Sequence, residues 1–513
     1  MAASGSGEAW RGLVVHPLLH YMVLPLVAAA VPHLMAVAWS VLGGYGLGHV
    51  GLVQLGFAML YLGAYLAWMG ATRPSRSITL REALVLVAAS WVFVPLLSAV
   101  PVSAALHVPL VDSWFESVSG FTTTGLSVFT GGVDPAYGVY VPSVEELPWS
   151  INAWRASTQW LGGFGVVVVF YVFARLAGLP AQLVGFAEGR FERLEPSIAR
   201  SIRVLMRLYV MMTAFATLAI YLSGMPFNDA LFHAMAAVST GGFSTHSANV
   251  GFYQDPLVWA ATAAAMTVGA LNFADLYAFF TMKPREPSIE EKTLAAIYAL
   301  AAPAAAAALA AAGTALARAV PWALYDTVSA ITTTGFGIHD LGATSDLYKL
   351  TLVTLMMVGG SAFSTAGGVK LYRVAVIAST FKWGWARTLK GKDYIQAYRV
   401  GGETVDIEEL ARVIEVVALF TLTAVLGAAI LLATIPGTHL ADALFEAASA
   451  VCTTGLSVGI TSAATPLPAK LTLLALMDLG RLEIHVYLAA TAAAIANIRE
   501  WLHTRQHHKT AHA

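Results

Sequence analysis

Along this chain the apolar residues neither alternate nor gather on one helical face. They run almost unbroken for 20 residues or more and then stop at short polar connectors. A helix that crosses a bilayer needs about 20 mainly apolar residues. Ten stretches reach that length: 17–41, 50–71, 80–104, 155–178, 201–223, 256–281, 293–317, 346–379, 410–434 and 468–497. Four apolar runs between them are too short to cross, at 112–122, 228–238, 322–331 and 441–451. They predict re-entrant helices that dip in and return.

The short runs are copies of one another. They read DSWFESVSGFTTTGL (Asp112 to Leu126), DALFHAMAAVSTGGF (Asp229 to Phe243), WALYDTVSAITTTGF (Trp322 to Phe336) and DALFEAASAVCTTGL (Asp442 to Leu456). In each, an aromatic residue (Phe115, Phe232, Tyr325, Phe445) stands ten residues before a glycine (Gly125, Gly242, Gly335, Gly455). In three copies an Asp opens the short helix, where it is expected to act as an N-cap. The glycines are 117, 93 and 120 residues apart, room for one spanning helix after each dip and one before the next. The predicted fold is an all-α membrane protein. Four helix–pore-loop–helix repeats surround one central pore, and two extra N-terminal transmembrane helices precede them. The divisions are 1–78 (helix pair), 79–199, 200–290, 291–408 (with a basic loop) and 409–513 (with a tail).

Composition agrees with this pattern. Hydrophobic residues make up 58% of 513 and charged residues 12%, against about 25% charged in a soluble domain. That excludes a soluble enzyme, a nucleic-acid-binding protein and a disordered chain. The net charge of -1 says little, but its placement says more. Of the 29 Lys and Arg, all but Arg155, Arg318, Lys349, Lys470 and the intramembrane Arg481 fall on one side of the predicted spans. By the positive-inside rule both termini are cytoplasmic and the dips enter from outside. The chain reads as a multi-pass protein of the cytoplasmic (inner) membrane. The first apolar stretch is too long for a cleaved signal core, and the single cysteine, Cys452, excludes an intramolecular disulfide.

Small residues at four buried turns could serve helix packing alone. Irregular backbone at membrane depth, however, is tolerated only where protein buries it or it lines water. Four such turns about one axis can aim their carbonyls at a central hole and replace the hydration shell of a monovalent cation. Glycine keeps side chains out of that hole, and the negative ends of the short helices favour a cation there. The candidate coordinating residues are Thr123, Thr124 and Gly125; Thr240, Gly241 and Gly242; Thr333, Thr334 and Gly335; and Thr453, Thr454 and Gly455.

With those four segments, WLGGFG (Trp160 to Gly165), LNFADLY (Leu271 to Tyr277), GGSAFSTAGG (Gly359 to Gly368) and LGRLEI (Leu479 to Ile484), the chain resembles the membrane subunit of the Trk/Ktr potassium-uptake systems. Plant HKT transporters belong to the same superfamily, and the extra N-terminal pair resembles the Trk branch. The resemblance implies K+ as the transported ion, and glycine at all four filter positions favours it. The alternative is a sodium-selective or mixed transporter, whose first filter position is often serine. Cys452 replaces the threonine of the first and third copies, as Ser239 does in the second, and is expected to be tolerated.

Gly359, Gly360, Ser361, Ser364, Thr365, Gly367 and Gly368 cannot hold a plain helix inside the 346–379 stretch. They predict either a kink filled by neighbours or, as the resemblance implies, a gate loop under the filter, unusual in carrying Phe363. Arg481 lies inside the last stretch, where an ionisable group is a functional candidate. Its expected neighbours on one face are Asp478 and His485, and a structural Asp478–Arg481 pair is the alternative to a role in the ion path. Glu116, His233, Asp326 and Glu446 share one repeat position. They either brace the dips or form an acidic vestibule.

The 394–406 stretch predicts a hairpin at Gly401-Gly402 within a basic loop. The tail histidines (His503, His507, His508, His512) read as a polar terminus rather than a metal site. No catalytic constellation or nucleotide motif is present, so no enzyme activity is expected. The resemblance implies a homodimer with one pore per chain, docked through Lys390, Lys392 and Arg399 to a cytoplasmic ring of nucleotide-binding regulatory subunits.

Overall fold

The computed structural model describes residues 13–176, 198–282, 284–390 and 398–511. Part of the inner-side basic residues, including Lys392 and Lys283, lies outside these, as do His512 and the histidine side chains of the tail.

The fold is helical. A short α1 (Pro17–Tyr21) leads into α2 (Leu24–Leu42), and α3 (Gly48–Ala71) completes the N-terminal pair. Four units follow: α4 (Leu80–Leu106), α5 (Leu110–Phe121) and α6 (Trp149–Leu176); α7 (Ile198–Leu222), α8 (Phe227–Val238), α9 (Pro256–Ala270) and α10 (Phe273–Phe280); α11 (Ile289–Ala311), α12 (Leu316–Ile331), α13 (Asp346–Val358) and α14 (Leu371–Lys390); and α15 (Ile407–Thr434), α16 (Leu440–Val451), α17 (Leu467–Arg481) and α18 (Ile484–Ala511). Two of the long helices begin at capping boxes, Thr79 with Glu82 and Ser288 with Glu291, which satisfy the first free N–H groups.

Among the described residues six helices are long and apolar enough to cross a membrane: Pro17–Leu42, Gly48–Ala71, Arg81–Leu106, Ala199–Leu222, Ile289–Ala311 and Ile407–Thr434. The 28-residue α6 matches a further expected stretch. The other three expected spans are interrupted. The 256–281 stretch bends by 108° between α9 and α10, where Asn272 caps the second helix through a bond from the Ala274 N–H. The 346–379 stretch opens into a loop between α13 and α14, and the 468–497 stretch breaks at Leu482–Glu483, with Glu483 at φ 63.

The strands are minor. β1 (Leu13–Val15) pairs in parallel with β2 (Thr72–Pro74). β3 (Thr130–Val133) and β4 (Tyr140–Ser143) form an antiparallel hairpin before α6. The hairpin expected at Gly401-Gly402 is present as β5 (Arg399–Val400) against β6 (Glu403–Thr404), with both glycines at positive φ.

The four short helices occupy the centre. Their shared aromatic residues Phe115, Phe232, Tyr325 and Phe445 are all buried, and each wedges its helix against longer ones. α5, α8 and α16 begin after Pro109, Pro226 and His439, none of which makes a side-chain cap bond. α12 starts six residues before the expected 322, and Pro321 lies inside it rather than ahead of it.

Candidate functional site

All four short helices end in the same turn. Thr123, Thr240, Thr333 and Thr453 adopt φ of 52, 53, 50 and 50, the left-handed region that a β-branched residue avoids. The next residue in each copy sends its N–H back five positions: Thr124 to Ser119 O at 2.9 Å, Gly241 to Ala236 O at 2.7 Å, Thr334 to Ser329 O at 3.0 Å and Thr454 to Ser449 O at 2.8 Å. This is a Schellman ending with threonine where glycine is usual. Then comes the shared glycine, again at positive φ.

The turns close a ring. A methyl group on Gly125 would overlap the carbonyl oxygen of Gly241. One on Gly242 would overlap that of Thr334, one on Gly335 that of Thr454, and one on Gly455 that of Thr124. Each copy's glycine therefore abuts the next copy's carbonyl, and the fourth returns to the first. Any side chain at those glycines must displace backbone. All four glycines line a cavity of about 500 Å³ that also meets Arg155, His246 and His339.

The residue after each aromatic braces its own turn. Glu116 accepts from Ser127 Oγ at 2.9 Å, His233 Nε2 meets Ser244 Oγ at 2.9 Å and Glu446 accepts from Ser457 Oγ at 2.8 Å, each eleven residues on. Asp326 instead binds His339 at 2.6 Å and Tyr348 at 2.5 Å. All four are fully buried, so the bracing alternative holds and the acidic vestibule does not.

The expected Asp N-caps are corrected as well. Asp112, Asp229 and Asp442 lie inside the first turn, and two of them bind lysines of another copy: Lys470 Nζ to Asp112 at 2.5 Å and Lys349 Nζ to Asp442 at 2.6 Å. Lys470 also meets Asp134 at 2.5 Å, and Arg155 joins Glu116 at 2.7 Å to the Ser244 carbonyl at 2.7 Å. These ties between copies were missed in the sequence. The available signal was the matched position of Lys349 and Lys470, each the fourth residue of its helix.

Gln159 was missed too. It donates from Nε2 to Gly241 O at 2.5 Å and accepts from the Phe243 N–H at 3.1 Å.

The 359–370 segment is a buried loop rather than a packed kink. Gly359 and Gly368, both at φ 74, touch at its neck, where a Cβ on either would meet the other. The Leu371 N–H to Gly360 O bond at 2.9 Å closes the neck. The tip rests on the α9–α10 break: Ser361 N–H donates to Ala270 O at 3.0 Å, and Phe363 O accepts from the Phe273 N–H at 2.8 Å. Phe363 packs edge-on against the Phe273 ring, 5.9 Å between centroids. Glu290 accepts from the Ala362 N–H at 2.7 Å and from Asn272 Nδ2 at 3.1 Å. Upward, Thr365 Oγ1 lies 3.3 Å from Thr240 Oγ1, and the Gly367 N–H donates to Thr333 Oγ1 at 2.6 Å. The loop thus touches the ring through its left-handed threonines.

Arg481 reaches the same loop. It donates to Thr365 O at 2.8 Å and to Gly162 O at 3.2 Å. The alternative of a structural Asp478–Arg481 pair does not hold, and Asp478 Oδ1 has no hydrogen-bond partner. His485 does not share the face either, because the helix ends at Arg481; it lies 3.5 Å from Glu483. Glu483 instead pairs with Arg373 at 2.8 Å.

The model of the cation transport protein (TrkH) family matches residues 52–298 and 296–497. The chain belongs to this family. An uncharacterized cation transporter of Methanocaldococcus jannaschii is 30% identical over 418 residues, covering 81% of this chain and 82% of that one. The Trk system potassium uptake protein TrkI of Halomonas elongata is 28% identical over 445 residues, 84% and 87% of the two chains. The crystal structure of the potassium transporter TrkH from Vibrio parahaemolyticus superposes with a TM-score of 0.76 at 24% identity, over 92% of this chain and 98% of that one. The protein is therefore a Trk-branch, multi-pass membrane subunit of a cation transporter and not an enzyme.

Proposed function

We propose that this chain carries potassium into the cell through the ring, acting as its selectivity filter. The closed cycle of glycine–carbonyl contacts carries this reading. It provides four equivalent places from which the backbone oxygens of Thr123, Thr124 and Gly125 and their counterparts can replace the water shell of K+. The naming of the Halomonas relative as a potassium uptake protein supports the choice of ion. The Gly359–Gly368 loop, held by Arg481, is the gate: it lies against the ring's threonines and closes the path beneath them. The four units are the 79–199, 200–290, 291–408 and 409–513 repeats after the 1–78 pair. Both termini are cytoplasmic, the membrane is the inner membrane and the assembly is a homodimer. A cytoplasmic nucleotide-binding subunit docks on the basic side, where the β5–β6 hairpin stands beside α14.

Gly125→Ser tests the filter. Its added side chain meets the Gly241 carbonyl and disturbs one quarter of the ring, so sodium permeation should rise relative to potassium. Unchanged ratios in tracer uptake would remove the ring from ion selection. Reversal potentials of the wild type in mixed salts separate this reading from the sodium-selective alternative.

A further inference from the structure

Three copies of the turn carry a threonine before the shared glycine, Thr124, Thr334 and Thr454, while the second carries Gly241. The place of its missing side chain is taken. A Cβ on Gly241 would stand 2.5 Å from the amide carbon of Gln159 and 2.9 Å from its nitrogen. That amide comes from α6 of the first unit and is fully buried. It bridges the second turn, donating to Gly241 O and accepting from the Phe243 N–H two residues on.

The other turns are braced from within. In the first and third, the hydroxyls of Thr122 and Thr124, and of Thr332 and Thr334, meet at 2.8 Å. In the first and fourth, Ser119 and Ser449 Oγ accept from the glycine N–H at 3.0 Å. The second copy has Ala236 at that serine position and no hydroxyl at Gly241, so both internal braces are missing.

We propose that Gln159 is a selectivity-determining positioning residue: its amide replaces the missing threonine and fixes the Gly241 carbonyl in the ring. This rests on the reading of the ring as the filter. Gln159 touches no ion. It acts by orienting one of four carbonyl oxygens and by drawing on that oxygen's electron density, so the second quadrant coordinates more rigidly and more weakly than it would unbraced.

The test is the potassium-over-sodium tracer ratio of the full chain in proteoliposomes. Gln159→Ala should lower the ratio by about threefold to tenfold, the equilibrium worth of one neutral hydrogen bond. Gly241→Thr alone should fail to conduct, because the amide occupies its space. The double variant Gln159→Ala with Gly241→Thr should return to within about twofold of wild type, since the new hydroxyl can meet Ser239 as Thr124 meets Thr122. Gln159→Met fills about the same volume but offers no donor at any pH, so it should lose selectivity as Gln159→Ala does. That variant keeps the test open if Gln159→Ala does not fold. An unchanged ratio in both Gln159 variants, with a lowered ratio in Gly242→Ser, overturns the role of Gln159 and leaves the filter standing. An unchanged ratio in Gly242→Ser as well overturns the filter reading itself. Loss of selectivity in Gln159→Ala that the double variant does not repair would assign Gln159 to packing and end the proposal.

Discussion

If the 359–370 loop is the gate, Glu290→Ala should open it without touching the proposed ion path. Glu290 is 2% exposed, and its carboxylate holds the Ala362 N–H at 2.7 Å with one oxygen and Asn272 Nδ2 at 3.1 Å with the other. The loop tip is thereby fastened to the α9–α10 break by a side chain from a third element, α11. A hydrogen bond to a charged group contributes roughly 1.5–3 kcal/mol. On the gate reading the Ala362 bond belongs to the closed loop, so its loss moves the closed-to-open balance by about tenfold to a hundredfold. Arg481, Thr240 and Thr333 still hold the tip, so the loop is loosened rather than freed. Rubidium tracer uptake into proteoliposomes containing the chain alone should rise about tenfold, with the potassium-over-sodium ratio unchanged. Wild-type flux from a variant that is monodisperse and as heat-stable as the parent would refute the latch. A changed ion ratio would mean that the substitution had reached the ring instead.

Arg481→Ala should also raise basal flux: a positive charge at about 5 Å in an effective dielectric near 20 opposes a cation by roughly 3 kcal/mol, and the side chain also ties down Thr365 O. Asp478→Asn should leave tracer flux close to wild type, because Asp478 forms no pair with Arg481 to neutralise it; a marked fall would show a partner formed only during opening. Lys470→Met leaves Asp112 and Asp134 without their cation and should cost about 3–5 kcal/mol, seen as an earlier thermal transition than in the surface control Lys382→Met. Cys452→Thr should conserve rate and selectivity in the same tracer assay, since Cys452 only caps α16 and touches Met357 Sδ at 3.4 Å.

The ring was legible in the sequence because its requirements are local. A Schellman turn, a positive φ and a glycine that must abut a carbonyl all fall within four residues, and four copies of that pattern stand out. The loop was legible for the same reason, as four glycines within ten residues interrupt an apolar run. The breaks at Leu271–Asn272 and Leu482–Glu483 were not, because one or two residues hardly change the mean hydropathy of a 20-residue stretch. Asn272 before Phe273 was nevertheless a capping signal inside an apolar run. What the sequence could not reveal is long-range. Asp112 looks like a cap until Lys470 arrives from 358 residues away, and Gly241 looks like drift until Gln159 fills its place from 82 residues away.

On the proposed reading, the left-handed threonines tie selectivity to restriction. A non-glycine residue in that region costs of order 1–3 kcal/mol, and glycine at all four positions would remove the cost. Glycine would also remove Thr333 Oγ1, which accepts from the Gly367 N–H, and Thr240 Oγ1, which meets Thr365. The loop would then lose its hydrogen bonds to the ring's threonine hydroxyls and keep only the bond from Thr365 Oγ1 to Val238 O beside the second turn. The strain is therefore retained where it joins the two working parts. A coupling of this kind is reciprocal: a loop that is easier to displace when the ring shifts must in turn disturb the ring when it is displaced. The loop's hydrogen bonds to the ring hydroxyls fall on the second and third units, since Thr123 Oγ1 and Thr453 Oγ1 make none, while Gly367 also packs against Cys452 O and Thr453 Oγ1 of the fourth. The quadrant that Gln159 braces is thus one of the two whose threonine hydroxyl meets the loop. An amide bridge there stiffens the ring where gate movement would otherwise be transmitted into it.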